Sequence, residues 1–342
     1  MKVSKKTPVF IGGTGRSGTS ITAQLLGTDP NIFFPCHENK LLVEKDGILD
    51  LLTALSYHFD PIRHHFAINR FLQRANSMRA LGSSDKEIQL EIRQLQENGL
   101  TFQEAIATLK REKPSASINI HAIGSSFGLD HYDDMIESFI SKITSRVIPE
   151  GIVDTDGLLE PFYVAKQKTS EEFINIARNF VESFYSHGNG KFWVDDTPLN
   201  ISHMPFLSQL FPSAKFIHMI RHPFDVGNSL INQVWSIAQT PQQALQYVEL
   251  HHSNFEQSVS DLDQIHILEI KLEELVNQKD HTIKKMSNFL GIDLQVDHSM
   301  VWSPEVITRY PFDIRWSNEV SKLDYLSNWM KRKGYNLNEL IS

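Results

Sequence analysis

The chain has 342 residues, 41% hydrophobic and 22% charged, an ordinary globular composition with room for one large α/β domain. A formal net charge of −8 argues against a general nucleic-acid binder, whose phosphate contacts need a basic face; any anion site must be a local cluster of donors. The lone cysteine, Cys36, excludes an intrachain disulfide and a Cys-based metal site and points to a reducing compartment. The N-terminal apolar run is too short for a signal-peptide core, and no run reaches the ~18 residues of a membrane helix, so a cytoplasmic chain without a membrane span is expected.

In chain order, Pro8 to Gly13 (PVFIGG) reads as a buried parallel strand ending in glycines. From Ser17 to Gly27, Ile21, Leu25 and Leu26 recur at helical spacing and Gly27 supplies the stop. Asn31 to Phe34 reads as a second short strand. From Asn39 to about Gly190 the pattern turns helix-rich, with Ser84–Glu87, Thr101–Glu104 and Thr169–Glu172 each fitting a capping box. Ile88, Ile92 and Leu95 form one apolar stripe there and Phe102, Ile106 and Leu109 another, while Pro114 to Gly128 reads as a loop.

The strand pattern returns at Lys191 to Asp195 (KFWVD), followed by an amphipathic helix from Ser202 to Phe211. Lys215 to Ile220 (KFIHMI) is a strand ending at Arg221, with a helix after Pro223 through Leu230 and Trp235. Ile265 to Ile270 is a further strand, and two helices lead to Leu290-Gly291. Leu323, Leu326 and Met330 make a last helix face that closes on Lys331, Arg332, Lys333 and Gly334. Strands alternating with helices predict an α/β fold, a parallel β-sheet with helices on both faces and a large helical insertion. The expected organisation is one domain over 1–342: a core of 8–42 and 191–292, an insertion at about 43–190, and a C-terminal segment of 293–342.

Between the first strand and the first helix lies Gly13-Thr14-Gly15-Arg16-Ser17-Gly18-Thr19-Ser20. Glycines allow a tight turn and close backbone approach, and the following helix N-terminus presents N–H groups and a positive dipole. Ser17, Thr19 and Ser20 add hydroxyls and Arg16 adds a planar fork suited to phosphate or sulfate. Gly15, Arg16, Ser17, Gly18, Thr19 and Ser20 are therefore candidate anion ligands. The run matches the Walker A pattern except that Thr19 stands where the phosphate-reaching lysine belongs.

The stretch from Pro8 to Leu42 resembles the 5′-phosphosulfate-binding loop of the sulfotransferases that use 3′-phosphoadenosine-5′-phosphosulfate (PAPS). The likeness is greatest to the bacterial and Golgi protein-tyrosine type, and it implies a P-loop NTPase-like fold. Lys215 to Leu230 resembles the family's 3′-phosphate motif, in which an arginine and a serine eight residues apart hold that phosphate; here they are Arg221 and Ser229. The alternative for these two is an Arg221–Asp225 pair and a solvated serine. Ile265 to Leu290 resembles the stretch that ends the core fold. The resemblance implies PAPS as co-substrate, no metal, and a hydroxyl or amine acceptor that the sequence does not identify.

It also implies catalytic roles. Glu38 falls where the tyrosine-type enzymes carry their catalytic glutamate, with His37 as fallback base; the alternative for Glu38 is the N-terminal carboxylate of a following helix. Many relatives carry a lysine at the position of Asp196, just before Thr197-Pro198, so Asp196 either contacts the acceptor or leaves the leaving-group charge to another residue. Two readings of other classes stay open. One is a P-loop kinase or NTPase using ATP and Mg, with Asp195 holding the metal; the other is a non-catalytic nucleotide-binding protein.

Overall fold

The computed structural model describes residues 6–35, 37–79, 91, 94, 95, 97–100, 105, 108, 109, 111, 112, 123–147, 161–186, 190–233, 236, 238–260, 262, 266–297 and 314–336. Cys36, Trp235, Ile265, the capping boxes at 84–87 and 101–104, and Ile88, Ile92, Phe102 and Ile106 of the two stripes lie outside the described residues. The chain forms two compact units, one of residues 1–36 with 188–342 and one of residues 37–187.

The first unit opens with β1 (Thr7–Gly13), α1 (Thr19–Leu26) and β2 (Ile32–Phe33). The second holds α2 (Ile48–Tyr57), α3 (Pro61–Ser77), α4 (Gly124–Phe127) and α5 (Leu129–Ile143), then the strands β3 (Thr144–Val147) and β4 (Phe162–Ala165), then α6 (Ser170–Tyr185). The first unit resumes with β5 (Phe192–Asp195), a 3-10 turn (Pro198–His203), α7 (Met204–Leu210), β6 (Lys215–Ile220) and α8 (Pro223–Ile231). It ends with α9 (Pro241–Val259), β7 (Ile267–Lys271), α10 (Leu272–Asn277), α11 (Lys279–Leu290), α12 (Ile314–Val320) and α13 (Asp324–Arg332).

In the first unit the strands run in the order β2-β5-β1-β6-β7, every pair parallel. Side chains alternate across a pleated strand, and both faces here are covered. Val9, Ile11, Val194, Ile217 and Met219 face α1 and α11, in one core with Leu25, Leu26, Ile283, Met286 and Leu290. On the other face Phe10 meets Trp193, Phe211 and Phe216 at ring-centroid distances of 5.3, 6.1 and 5.7 Å. The expected α/β fold, a parallel sheet wrapped on both faces, is what forms. β1 sits where the strand order reverses, which in open α/β sheets is where ligands bind, beyond the C-terminal ends of the strands.

Local expectations fare unevenly. The Thr169 capping box forms, with the Thr169 N–H donating to Glu172 Oε2 at 2.8 Å and the Glu172 N–H to Thr169 Oγ1 at 3.2 Å. The helix read from Ser202 is instead a 3-10 turn from Pro198 followed by α7, because the Asp195 side chain collects the donors of Thr197 and Asn200 and bends the chain early. Part of the stretch read as loop, Gly124–Phe127, is a short helix. Within the segment read as helical, β3 and β4 form an antiparallel pair whose Phe162 stacks on His65 of α3 at 4.4 Å. Four-residue strands leave too little alternation to be read, and tertiary packing decides them.

The second unit's core is aromatic: Phe180 of α6 stacks on Phe139 at 4.3 Å and approaches Phe184 at 4.9 Å and Phe71 at 6.4 Å. Phe180→Ala is expected to lower stability by about 3–5 kcal/mol and Phe180→Leu by clearly less, since the cost follows the cavity left behind. Urea unfolding followed by near-UV circular dichroism checks the ranking; equal effects would mean that the ring contacts contribute little.

Candidate functional site

The site begins with what β1 lacks. A Cβ on Gly12 would lie 2.7 Å from the Ile201 nitrogen, and one on Gly13 would overlap the Met219 carbonyl oxygen, so glycine at these positions lets the 3-10 turn pack on β1 and leaves the end of β1 close to β6. The chain then folds over itself: the Ser17 N–H and hydroxyl both donate to the Thr14 carbonyl, at 3.1 and 2.7 Å. Arg16 is left-handed at φ 73°, a conformation that costs a non-glycine residue energy and that clusters at functional sites. Gly18, at φ 98°, caps α1, and no side chain caps that end. The first amides of α1, from Thr19, Ser20 and Ile21, have no intrahelical acceptor and face the turn with the positive end of the helix dipole.

The turn therefore has the donors an anion cradle needs, with one correction to the expected ligands. The Ser17 hydroxyl is buried and committed to Thr14, so Ser17 holds the turn and does not offer its hydroxyl to a ligand. The Thr14 hydroxyl is the reverse case: it is 1% exposed and has no hydrogen-bond partner among the described residues. A buried hydroxyl without a partner is uncommon and asks for one. Thr19 is buried at the first helical position and Ser20 is exposed next to it.

The parallel register sets Gly13 opposite Met219, so the end of β6 comes level with the turn. Arg221 Nη1 donates to the Arg16 carbonyl at 3.3 Å, and Arg16 Nε donates to Ser229 Oγ at 2.9 Å. Arg221 and Ser229 are both buried, on either side of the β6–α8 elbow. The sequence alternative, an Arg221–Asp225 pair, is present only as a long 3.9 Å contact. Arg16, Arg221 and Ser229 thus meet although more than 200 positions separate the first from the others. Two guanidiniums, a hydroxyl, the Thr14 hydroxyl and a helix N-terminus make a donor set that fits a phosphate or sulfate ester.

The β7–α10 junction supports both halves. Leu272 packs on Gly18, and Glu273 accepts from the His222 N–H at 2.7 Å and from the Tyr335 hydroxyl at 3.2 Å. Burial pushes the Glu273 carboxyl above its ordinary range, with the His222 N–H and Arg221 opposing. The Tyr247 hydroxyl of α9 lies 3.7 Å from where a Gly15 Cβ would be, and the His251 ring lies tilted against the Tyr247 ring at 4.3 Å between centroids, its imidazole pushed down to about 4 by burial. The sequence reading missed Thr14, Tyr247 and Glu273. For α9 a signal existed, Thr240-Pro241 as N-cap and first helical residue; for Glu273, whose partner is a backbone amide 51 residues away, none did.

Among the carboxylates, Asp195 is fully buried and both of its oxygens are used: Oδ1 accepts from the Thr197 hydroxyl at 2.9 Å and Oδ2 from Asn200 Nδ2 at 3.0 Å. That is a structural turn, which leaves Asp195 badly placed to hold a metal as the kinase reading requires. Asp196 is buried beside it. His37 and Glu38 belong to the second unit. Glu38 pairs with Lys40 at 3.1 Å, and Lys40 with Glu44 at 3.4 Å. The next helix, α2, starts only at Ile48, so Glu38 is not its N-terminal carboxylate. Burial lowers the His37 imidazole from its ordinary value, which keeps it neutral near pH 7.

Residues 144–296, which carry β5, β6, Arg221 and Ser229, match the model of the sulfotransferase family. The match covers a little under half of the chain and leaves out the turn after β1. No curated protein matches it in sequence. Among solved structures, the sulfotransferase domain of the Synechococcus PCC 7002 olefin synthase is 14% identical with a TM-score of 0.44, over 95% of this chain and 97% of that one. Sulfotransferase STF9 from Mycobacterium avium is 12% identical with a TM-score of 0.49, over 98% of this chain and 79% of that one.

Gly18 tests the cradle. A Cβ there would sit 2.7 Å from Leu272 Cδ1 at a φ that side chains rarely adopt. Gly18→Ala is expected to cost about 1–3 kcal/mol, the usual range for forced backbone strain, and to weaken anion binding at the same time. Thermal melts with and without added sulfate check this. An unchanged sulfate-induced shift would separate the turn from anion binding.

Proposed function

We propose that the protein transfers a sulfuryl group from PAPS to a hydroxyl or amine acceptor. The observation that supports this reading is the meeting of Arg16, Arg221 and Ser229 at one turn, since a donor with phosphate groups on the 3′ and 5′ oxygens of one ribose needs two anion-binding halves side by side. The loop amides, Arg16 and the Thr14 hydroxyl hold the 5′-phosphosulfate; Arg221 and Ser229 hold the 3′-phosphate. Acceptor attack forms the new bond to sulfur while the bond from sulfur to the 5′-phosphate oxygen breaks, and adenosine 3′,5′-bisphosphate (PAP) departs. Charge builds on that departing oxygen, and fixed donors that need no reorganisation stabilise it. No step in this scheme requires a metal.

Glu38 is assigned as the base that takes the acceptor proton, with neutral His37 next to it as the alternative. Its pairing with Lys40 orients the Glu38 carboxylate. Asp196, standing where relatives carry lysine, is assigned to the acceptor and not to the leaving group, because an acid beside a departing polyanion would oppose the reaction.

Two measurements test the reading. Arg221→Ala and Ser229→Ala are expected to weaken PAP binding, measured by calorimetry without Mg²⁺, far more than binding of adenosine 5′-phosphosulfate, which lacks the 3′-phosphate. Equal losses for the two ligands, or a protein that responds to ATP with Mg²⁺ and not to PAP, would overturn it. Glu38→Gln is expected to keep PAP affinity and to slow turnover by about 10²–10⁴-fold, the usual worth of a general base. If Glu38→Gln turns over normally while His37→Ala is inactive, the proton goes to His37.

A further inference from the structure

We infer that Glu273 is a positioning residue for 3′-phosphate recognition, acting through the backbone of the β6–α8 elbow; the inference rests on the PAPS reading above. Arg221 is the first residue beyond β6, so its guanidinium can be no better placed than the backbone that carries it. On the strand side that backbone is fixed by the sheet, where Ile220 pairs with Lys271. On the other side the next amide, the His222 N–H, leaves the ladder and is taken by Glu273 Oε1 at 2.7 Å. The second carboxylate oxygen accepts from the Tyr335 hydroxyl at 3.2 Å, which fixes the carboxylate in turn.

The His222 ring is held as well. Its Nδ1 accepts from the Phe224 N–H at 3.2 Å, so Nε2 carries the proton and donates to the Asn336 carbonyl at 3.3 Å. The ring also lies edge-on to Tyr335, at 5.1 Å between centroids. Glu273, Tyr335 and Asn336 therefore clamp the single residue that joins Arg221 to α8, the helix that carries Ser229. Electrostatics alone gives no reason for a carboxylate here: a negative group close to Arg221 opposes the binding of a dianion. Its contribution must come from the hydrogen bond to the backbone, and that separates the two roles by experiment. Glutamine keeps a carbonyl oxygen for the His222 N–H and removes the charge; alanine removes both.

The test compares wild type, Glu273→Gln, Glu273→Ala and Tyr335→Phe by calorimetry with PAP and with adenosine 5′-phosphosulfate, alongside melting temperatures. Glu273→Ala is expected to lose about tenfold or more in PAP affinity, the worth of one charge-assisted hydrogen bond, and to change little toward the ligand without a 3′-phosphate. Glu273→Gln is expected to match wild type or exceed it on PAP, and Tyr335→Phe to fall between. Parallel losses on both ligands, or a wild-type ratio of the two in Glu273→Ala, overturn the inference while leaving the donor assignment standing. A wild-type protein that does not distinguish the two ligands overturns the donor assignment and the inference with it. Should Glu273→Ala fail to fold, Tyr335→Phe decides: a reduced PAP preference supports the role and an unchanged one overturns it.

Discussion

Two parallel strands, β1 and β6, lie side by side with Gly13 opposite Met219, and no side chain on Gly12 or Gly13 keeps their surroundings away. Because their register is level, the turn that leaves one and the arginine that leaves the other emerge at the same height. Everything at the site follows from that pairing. Arg16 can reach Ser229, Arg221 can reach the Arg16 carbonyl, and α1 starts with its bare amides toward the same point. The left-handed backbone at Arg16 is the local cost of turning this sharply, and the Ser17 bonds to Thr14 help to hold it.

The chain carries more acid than base, yet it gathers two arginines and a bare helix N-terminus at one turn. It does so by giving the carboxylates near the site other work. Asp195 terminates β5 by satisfying Thr197 and Asn200, Glu273 holds the backbone beyond Arg221, and Asp225 stays at the edge of ion-pair distance from that arginine. A carboxylate saturated with hydrogen bonds presents less of its charge to a ligand than one that competes for the arginine directly.

The core elements were legible because each announced itself locally. Strands β1 and β6 are apolar runs buried on both faces, the turn concentrates glycine and hydroxyl residues between a strand and a helix, and Thr169 with Glu172 is a self-contained cap. What escaped depends on distant partners or on individual atoms. Nothing in the sequence says that the Ser17 hydroxyl turns inward while that of Thr14 finds no partner among the described residues. Nothing in Leu272-Glu273-Glu274-Leu275 says which glutamate will bind a backbone amide of another strand's end. Glu38 is not the N-terminal carboxylate of a following helix, because nine residues separate it from α2, a distance the sequence pattern does not announce.

The chain leaves the first unit just after β2 and re-enters it just before β5, and these two strands are neighbours. The Lys191 and Phe192 amides both donate to the Asn31 carbonyl, at 2.8 and 3.0 Å, and Gly190 is pressed onto Asn31 where a Cβ would overlap it. Exit and entry are thus stitched together by the sheet itself. The entropy of closing a connection between fixed ends grows only slowly with its length. For a lineage of such proteins this means that the excursion can lengthen, shorten or be replaced wholesale while the paired strands stay in register. Substitutions there and in the glycine-rich turn can then accumulate on separate schedules, the one free to diversify and the other confined by backbone contacts that admit glycine alone.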